Sequence, residues 1–361
     1  MVRRAAGRKD DQMIRNPKTV PMALVALLGV SLVAVACSND SSTTSAGATT
    51  PGTAAAATLD VELDWVPNPD HVGLYYAQEK GYYDDANLTI NFRQPSNAAD
   101  PIKLVALGKV DLAITYEPEM FYGQESDLPA MAVATVVPVP LNSLIVNPDE
   151  PIMDLSEMNG KSTGVTGIPS DDAFYTTMLK TAGLTEDQVP KVNVGFNLVP
   201  SILSNKVDAI IGGYQNVEAI QIEQESGKKP SVFPADKLGV PSYAELVIAA
   251  NADRLSSDAA YADAVRRFVA AVIKGTDDAI ANPDEATSIM KQDTDYKPTF
   301  LDESVPYTLQ LLKPAEGTKT GCIDVANWQS YGEWMSSNEL ITSDPDASAL
   351  ATTDYMPYSC A

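Results

Sequence analysis

The amino-acid sequence predicts an α/β protein built from two similar lobes, and three observations lead to this fold class. Segments with the alternation of β-strands are interleaved with helical segments from residue 59 to about residue 211, which is typical of a mostly parallel sheet covered by helices. The motif Lys109-Val110-Asp111 recurs with similar surroundings as Lys206-Val207-Asp208. The length of 361 residues is sufficient for about two domains with ordinary cores.

The individual elements follow from the hydrophobic pattern in chain order. Leu59, Val61 and Leu63 alternate with acidic residues, as in a strand that buries one face, and Gly81 ends the first helix. Strands are predicted at residues 59–63, 88–92, 110–114, 161–165, 192–194 and 207–211. Helices are predicted at residues 71–83, 98–107, 171–182, 200–204, 259–281, 283–291, 303–312 and 325–336, so the chain is mainly helical after residue 251.

The composition argues against several classes of function. The chain carries 25 Lys and Arg residues against 48 Asp and Glu residues, which gives a formal net charge of −23 and a pI near 4.3. Sequence-independent binding to nucleic acid requires clustered Lys and Arg, so we expect no nucleic-acid partner. The sequence contains one histidine, His71, which argues against a histidine-based metal site, and neither a metal nor a cofactor is predicted.

The N-terminus has the pattern of an export signal. Residues 1–18 contain six basic and two acidic residues, and residues 20–36 are apolar and uncharged up to Cys37. This pattern predicts a signal peptide over residues 1–36, and residues 32–37 resemble a lipobox, in which Cys37 is lipidated. Residues 37–57 then form a flexible tether, and the protein is expected on the outer face of the cell membrane. A single transmembrane anchor is the alternative.

The two remaining cysteines are expected to pair. If Cys37 carries lipid, Cys322 and Cys360 form an even pair in an oxidising compartment. We therefore predict a disulfide that holds the C-terminal tail, with two separate buried thiols as the alternative.

Aromatic, acidic and amide residues follow the predicted strands at the points where ligands bind in open α/β sheets. The aromatic residues are Trp65, Tyr116 and Tyr214, the acidic ones are Asp64, Glu117, Glu119 and Glu218, and the amides are Asn68, Asn142 and Asn216. Such a set suits a flat heteroaromatic ligand that carries amino groups, because rings stack on aromatic faces and carboxylates accept from exocyclic amines. The alternative is that the aromatic residues belong to the core and the acids are solvated.

Several segments together resemble a known family. They are residues 63–75 and 77–83, Lys109-Val110-Asp111, the turn at Gly160-Lys161, and residues 195–200 and 212–218. The chain from about residue 59 to residue 300 is similar to the pyrimidine-binding, thiamine-precursor family. This family contains solute-binding lipoproteins of ABC transporters (ThiY-like, related to the SsuA-type sulfonate binders) and the fungal hydroxymethylpyrimidine synthases.

The resemblance implies a type II periplasmic-binding fold, in which two lobes close on a ligand by a hinge. Lobe 1 would comprise residues 58–143 and 248–361, and lobe 2 residues 144–247, with crossovers near residues 142–147 and 244–250. The family's pocket carries over to Asp64, Trp65 and Asn68, to the expected turn from Tyr116 to Glu119, and to Tyr214 and Glu218.

Two further contacts with the ligand are expected. The amides of the turn at Gly164, Thr166 and Gly167, which precedes a predicted helix, could meet a polar or anionic end of the ligand, or this segment is simply a tight turn. His71 could donate to the ligand, or it is a histidine whose hydrogen bonds are satisfied at a helix end.

The resemblance implies a binding protein that captures a thiamine pyrimidine precursor and delivers it to a membrane permease and its ATPase, and we expect a monomer. The same fold binding riboflavin, a sulfonate or nitrate is the alternative, and a surface protein without a transport role is a third possibility. An enzyme of the synthase type is disfavoured, because Thr115 and Glu119 stand where those enzymes have a lysine and a histidine, and residues 243–251 contain no cysteine.

Overall fold

A computed structural model describes residues 54–360, so the predicted signal peptide, Cys37 and nearly all of the tether lie outside the described residues. The strands in this part of the chain are β1 (Ala57–Glu62), β2 (Leu88–Arg93), β3 (Leu112–Thr115), β4 (Ala130–Val137), β5 (Asn142–Val146), β6 (Thr163–Val165), β7 (Lys191–Asn193), β8 (Ala209–Tyr214), β9 (Ser231–Pro234) and β10 (Leu246–Asn251). They form two five-stranded sheets, described below as the first and the second sheet.

Helices cover and connect the two sheets. They are α1 (Val72–Glu79), α2 (Tyr82–Asp85), α3 (Pro101–Ala106), α4 (Glu117–Glu125), α5 (Pro169–Thr181), α6 (Leu198–Leu203), α7 (Glu218–Ser226), α8 (Ala252–Ser257), α9 (Ala259–Ala281), α10 (Pro283–Asp293), α11 (Pro298–Leu311), α12 (Val325–Ser337) and α13 (Ala347–Leu350). Short 3-10 helices lie at Pro69–His71, Leu155–Met158 and Ala235–Lys237.

The two sheets have the same topology. The first has the order β2-β1-β3-β10-β4 and the second the order β7-β6-β8-β5-β9. In each sheet the first three strands are parallel, and the fourth is antiparallel to both of its neighbours. The predicted pair of similar α/β lobes is therefore confirmed.

The repeated Lys-Val-Asp motif has the same structural role in both sheets. The carboxylate of Asp111 accepts the backbone N–H of Asp60 at 2.9 Å, and the backbone N–H of Asp111 donates to the carbonyl of Asp60 at 2.9 Å. Asp208 makes the equivalent pair of bonds with Ser162, at 2.7 and 3.0 Å. The aspartate of each motif thus fastens the strand it begins to the neighbouring central strand, β1 or β6.

The chain passes between the sheets twice. The first passage, residues 138–141, joins β4 to β5, and the second, residues 238–245, leads back from the second sheet to β10. The lobe boundaries expected at 143/144 and 247/248 fall inside β5 and β10, a few residues beyond these passages. Strand β5 belongs wholly to the second sheet and β10 wholly to the first, because their ladder partners lie there.

The helix expected over residues 71–83 is interrupted. Gly81 adopts a left-handed conformation with φ of 72°, which ends α1 and starts α2. Helix α1 packs against α9 with their backbones in close contact, since a Cβ atom added to Gly275 would lie 2.3 Å from the carbonyl oxygen of Gly73. This contact fixes the start of α1, which follows the loop that carries Asp64, Trp65 and Asn68.

The C-terminal segment is tied to the body of the protein. Cys322 and Cys360, predicted to pair, are joined by a disulfide with their Cα atoms 5.6 Å apart. Among residues 54–360, the helices are all too short or too polar to span a membrane.

Candidate ligand-binding site

A cavity lies where segments from both sheets meet, just beyond several strand ends. Its volume is about 20 Å³, enough for about one water molecule. Its lining residues are Asp64, Trp65, Asn68, Tyr116, Asn142, Thr166, Ile168, Ser170, Asp171, Gly212, Tyr214, Val217, Glu218 and Glu245. Eight of them were proposed from the sequence: Asp64, Trp65, Asn68, Tyr116, Asn142, Thr166, Tyr214 and Glu218.

Asp64 is held by two side chains. The hydroxyl of Tyr116 donates to Asp64 Oδ2 at 3.0 Å, and His71 Nε2 lies 2.7 Å from Asp64 Oδ1. The other ring nitrogen of His71 accepts the backbone N–H of Asn68 at 3.2 Å, so the ring proton is on Nε2 and points at Asp64. His71 is fully buried behind Asp64 and outside the cavity lining, which matches the alternative of a satisfied histidine at a helix end.

Trp65 and Asn68 belong to the loop that follows β1. The Trp65 ring packs edge-on against Phe196 of the second lobe, with ring centroids 4.4 Å apart and planes at 60°. Asn68 caps the 3-10 helix that follows it, since its side chain accepts the N–H of Asp70 at 2.8 Å. The loop is therefore held in shape by Asn68 while Trp65 lines the cavity.

Asp171 forms a second anchored carboxyl. Its oxygens accept from Asn142 Nδ2 at 2.6 Å and from the hydroxyl of Thr166. Burial raises the pKa of Asp171 to about 7. Gly212, with φ of 84°, passes so close that a Cβ atom there would lie 2.5 Å from an oxygen of Asp171, so glycine is required at this point of β8.

Glu218 and Tyr214 are linked at the end of β8. Glu218 Oε2 accepts the backbone N–H of Tyr214 at 2.8 Å, and burial raises the pKa of Glu218 to about 7. The hydroxyl of Tyr214 donates to Glu245 Oε1 at 3.1 Å. This chain of bonds connects α7 to the second passage between the sheets.

Glu245 is the point where the two passages meet. Its Oε2 accepts the backbone N–H groups of Leu141 and Asn142 at 2.6 and 3.0 Å and the hydroxyl of Tyr243 at 2.8 Å. Burial raises the pKa of this carboxyl, although its donors act in the opposite direction. Sequence reasoning missed Glu245, although an acidic residue immediately before the apolar run 246–250 is a recognisable signal of a buried carboxyl.

The segment from Tyr116 to Glu119 is the start of helix α4 and not a turn, because Pro118 in its first turn suits a helix start. Glu117 and Glu119 therefore point away from the cavity. Glu117 Oε2 accepts the N–H of Ala244 at 2.7 Å, and Glu119 Oε1 accepts the N–H of Ser170 at 3.0 Å. Burial raises their pKa values to about 8 and about 7, respectively.

The expected amide site near residues 164–167 does not form as predicted. Gly164 lies inside β6 against Val194 and Val207, and neither Gly164 nor Gly167 lines the cavity. At the start of the following helix, the N–H of Ser170 already donates to the carboxyl of Glu119. The helix start is thus occupied by a protein carboxyl, and Thr166 alone of the predicted turn residues faces the cavity.

Other lining residues were not foreseen from the sequence. They are Ile168, Ser170, Asp171, Gly212, Val217 and Glu245. Asp171 is an acidic residue at a predicted helix start that follows a strand. Glu218 was selected by the same pattern, so this pattern also indicates Asp171. The apolar residues Ile168 and Val217 carry no signal that separates a cavity wall from a core position.

The ionisable side chains that line the cavity are all acids or phenols. The four carboxyls are Asp64, Asp171, Glu218 and Glu245, and the lining contains no Lys, Arg or His. Within residues 54–360, no cluster of three or more His, Cys, Asp or Glu side chains has the arrangement of a metal site. The cavity therefore offers acceptors and aromatic faces, which suit a ligand rich in N–H donors and disfavour an anion.

Comparison with known proteins identifies a family and several relatives of this chain. The family described as NMT1/THI5 like matches residues 68–286. A putative thiamine biosynthesis protein of Haemophilus influenzae is 33% identical over 295 residues, covering 81% of this chain and 90% of the relative. A formylaminopyrimidine-binding protein of Halalkalibacterium halodurans is 32% identical over 289 residues, covering 79% and 86%. A 4-amino-5-hydroxymethyl-2-methylpyrimidine phosphate synthase of Saccharomyces cerevisiae is 27% identical over 249 residues, covering 65% and 70%.

Solved structures share the fold. The ligand-binding component of an ABC-type import system from Staphylococcus aureus matches with a TM-score of 0.65 and 12% identity, covering 83% of this chain and 97% of that structure. The periplasmic aliphatic sulphonate-binding protein SsuA of Escherichia coli matches with a TM-score of 0.59 and 13% identity, covering 81% and 91%. The predicted two-lobed periplasmic-binding fold is thereby confirmed.

Proposed function

Because this chain belongs to the NMT1/THI5-like family, we propose that it is an extracytoplasmic solute-binding protein of an ABC importer that captures an aminopyrimidine precursor of thiamine. The observation that carries this proposal is the cavity at the strand ends, where aromatic rings stand beside four carboxyls without any basic group. The relative named for binding formylaminopyrimidine supports the same class of ligand.

The chemistry of the cavity suits an aminopyrimidine. Such a ring is flat and can stack on Trp65, and its exocyclic N–H groups can donate to carboxyls such as Asp64 and Glu218. The carboxyls of Asp171 and Glu218, with pKa values near 7, exchange protons around neutral pH, so each can accept from an amine or donate to a ring nitrogen.

Anionic ligands fit this lining less well. A sulfonate or nitrate needs donors and positive charge, whereas four carboxyls line the cavity. Riboflavin is aromatic and uncharged, so the charge of the lining does not exclude it.

Contacts between the lobes support a closing mechanism around this cavity. Trp65 contacts Phe196, and Asn216 Nδ2 donates to Asp70 Oδ1 at 2.7 Å, each across the space between the two sheets. The two passages, residues 138–141 and 238–245, are the covalent links between the sheets and form the hinge. A ligand enters when these contacts part, and because the cavity of about 20 Å³ holds only about one water molecule, the lobes close on the ligand less tightly than in this structure.

A role as a synthase is not part of this proposal. Thr115, buried in β3, has no amine with which to form a Schiff base, and the carboxyl of Glu119 is bound to the amide of Ser170. The fungal synthases that this chain resembles have a lysine and a histidine at these two positions, so this chain lacks both the lysine amine and the histidine imidazole.

The remaining parts of the proposal concern attachment and partners. Residues 1–36 are removed on export, lipidated Cys37 holds the protein at the outer face of the membrane through the tether 37–57, and a monomer passes its ligand to a permease driven by an ATPase. Substitution Cys37→Ser is expected to move the protein from the membrane fraction to the soluble fraction of the cell. Unchanged membrane association would contradict the lipid anchor.

The ligand class is tested by thermal shift and calorimetric titration of the purified full chain. The compounds are formylaminopyrimidine, 4-amino-5-hydroxymethyl-2-methylpyrimidine, thiamine, riboflavin, taurine and nitrate. A ligand at about 100 times its Kd stabilises the native state by about 2.7 kcal/mol, so a true ligand gives a clear rise in Tm. A rise with taurine or nitrate alone would refute the aminopyrimidine assignment.

Two variants test whether the ligand binds in this cavity. Glu218→Gln keeps an acceptor for the N–H of Tyr214 and removes the charge, so it is expected to weaken binding without unfolding the protein. Glu223→Gln, on the same helix but outside the cavity lining, is the matched control and should bind as the parent protein does.

A further inference from the structure

A second and larger cavity lies beside the hinge. Its volume is about 630 Å³, within the usual range of small-molecule sites, and it shares no lining residue with the first cavity. Residues of both passages line it, namely Pro138, Ser242 and Ala244, together with the segment 312–328 that carries Cys322. The disulfide to Cys360 closes one side of this cavity.

A buried carboxyl with an unused oxygen lies at the floor of this second cavity. Glu117 has no exposed surface, and its Oε2 accepts the N–H of Ala244 at 2.7 Å. Its Oε1 is also buried and accepts no hydrogen bond. Buried polar atoms in folded proteins are nearly always paired, so this oxygen calls for a hydrogen-bond partner that the described residues do not supply.

The walls around Glu117 are amphipathic. Trp328, Leu312 and Ile323 provide an apolar surface, and the cavity's lysine, Lys319, is engaged elsewhere. Lys319 Nζ donates to the carbonyl of Ser359 at 2.9 Å and lies over the ring of Tyr358. Within the described residues no cation pairs with Glu117, the carboxyl of Asp324 also lines the cavity, and the cavity has the size for a ring.

We propose that the second cavity is a binding site for a small amine with an apolar ring, whose nitrogen donates to Glu117 Oε1 while the ring packs between Trp328 and the aliphatic side chains. The site is separate from the proposed pyrimidine site, although the two meet at the hinge. Ala244 lines the second cavity and its neighbour Glu245 lines the first.

Binding of an amine has a proton signature. Burial raises the pKa of Glu117 to about 8, so this carboxyl is mostly protonated at pH 7. An ammonium ion that pairs with it stabilises the ionised form and displaces that proton to the solvent. The binding of one ammonium ion at pH 7 is thus accompanied by the release of close to one proton.

The test is a calorimetric titration of the full chain with benzylamine at pH 7, in phosphate and in Tris buffer. We expect saturable binding with release of close to one proton, and weaker binding of benzyl alcohol. Glu117→Gln should weaken benzylamine binding about ten- to a hundred-fold, the range of one charge-assisted hydrogen bond. Ala315→Trp, at an exposed position of the lining, should block the cavity with Glu117 intact.

Controls decide among the outcomes. Glu333→Gln, exposed on the helix that carries Trp328, should bind benzylamine like the parent protein. Equal affinity in the parent, Glu117→Gln and Ala315→Trp proteins, or no saturable binding at millimolar benzylamine, would overturn the proposal. Circular dichroism reports folding, and if Glu117→Gln fails to fold, Ala315→Trp alone decides. Aminopyrimidine binding is measured in the same samples, so failure at one site is distinguishable from failure at the other.

Discussion

Replacing Trp65 by alanine tests the proposed pyrimidine site most directly. Trp65 lies in the loop after β1, lines the cavity and packs edge-on against Phe196 with ring centroids 4.4 Å apart. The substitution removes the contact between the two rings and the face on which a ligand ring stacks. An aromatic pair contributes about 0.5–1.5 kcal/mol beyond buried area, and stacking of a heterocyclic base on an aromatic side chain about 1–3 kcal/mol.

The two losses together predict a change in affinity that a titration resolves easily. Their sum of about 1.5–4.5 kcal/mol corresponds to a Kd raised about ten- to a thousand-fold. Phe196→Ala removes only the contact between the rings and should raise the Kd by about two- to thirteen-fold. The double variant Trp65→Ala/Phe196→Ala separates the ring contact from ligand stacking. Each single variant already removes the contact between Trp65 and Phe196, so the double variant should bind about as weakly as Trp65→Ala alone.

The assay is a calorimetric titration with formylaminopyrimidine, and Trp334→Ala is the matched control. Trp334 is also a partly buried tryptophan beside another ring, with its centroid 5.3 Å from that of Tyr331, but it lies outside the cavity lining. If Trp65→Ala binds within two-fold of the parent protein, or if Trp334→Ala weakens binding equally, Trp65 does not stack on the ligand.

Three further predictions concern stability. The free energy of unfolding should fall as pH rises from about 5 to about 7, because the folded protein keeps the proton of Glu119 (pKa about 7) after the unfolded chain has lost it. In urea titrations at several pH values, Glu119→Gln should reduce this dependence of the unfolding free energy on pH. An identical pH dependence in both proteins would refute the role of Glu119. Cys322→Ser with Cys360→Ser should cost up to about 4 kcal/mol by loop entropy over the 38-residue separation, and an unchanged Tm would contradict this. Asn216→Ala, which loses the bonds from Asn216 Nδ2 to Asp70 and Thr308, should destabilise by about 1–3 kcal/mol and increase the radius of gyration in X-ray scattering, whereas an unchanged radius would show that these bonds do not hold the lobes together.

Elements with strong local patterns could be predicted from the sequence. The helix predicted at residues 259–281 has the bounds of α9, Ala259–Ala281, because its apolar positions recur with helical spacing and Asp258 caps its start. The repeat of Lys-Val-Asp indicated two lobes of one topology because Asp111 and Asp208 perform the same local task, a hydrogen-bond pair with the neighbouring strand.

Features that depend on distant segments could not be predicted in this way. The sequence shows that Glu117 and Glu119 follow a strand, but it does not show that Ala244 and Ser170 come within hydrogen-bonding distance of them. An acid beside an aromatic residue looks the same in the sequence whether it faces a cavity or supports a hinge. The distinction depends on tertiary contacts more than 50 residues apart in the chain.

The buried acids connect ligand choice with the contact between the lobes. Asp70 and Glu119 each accept a hydrogen bond from a group on the opposite lobe, Asn216 Nδ2 and the amide of Ser170, and burial raises the pKa of both acids. In the proposed opening of the lobes, these carboxyls regain water and return toward their ordinary pKa values, so opening would release protons and closing would take them up. We therefore expect that the dry, acid-lined interior, which disfavours an anionic ligand, also makes the proposed closure sensitive to pH, with the closed form favoured as the pH falls.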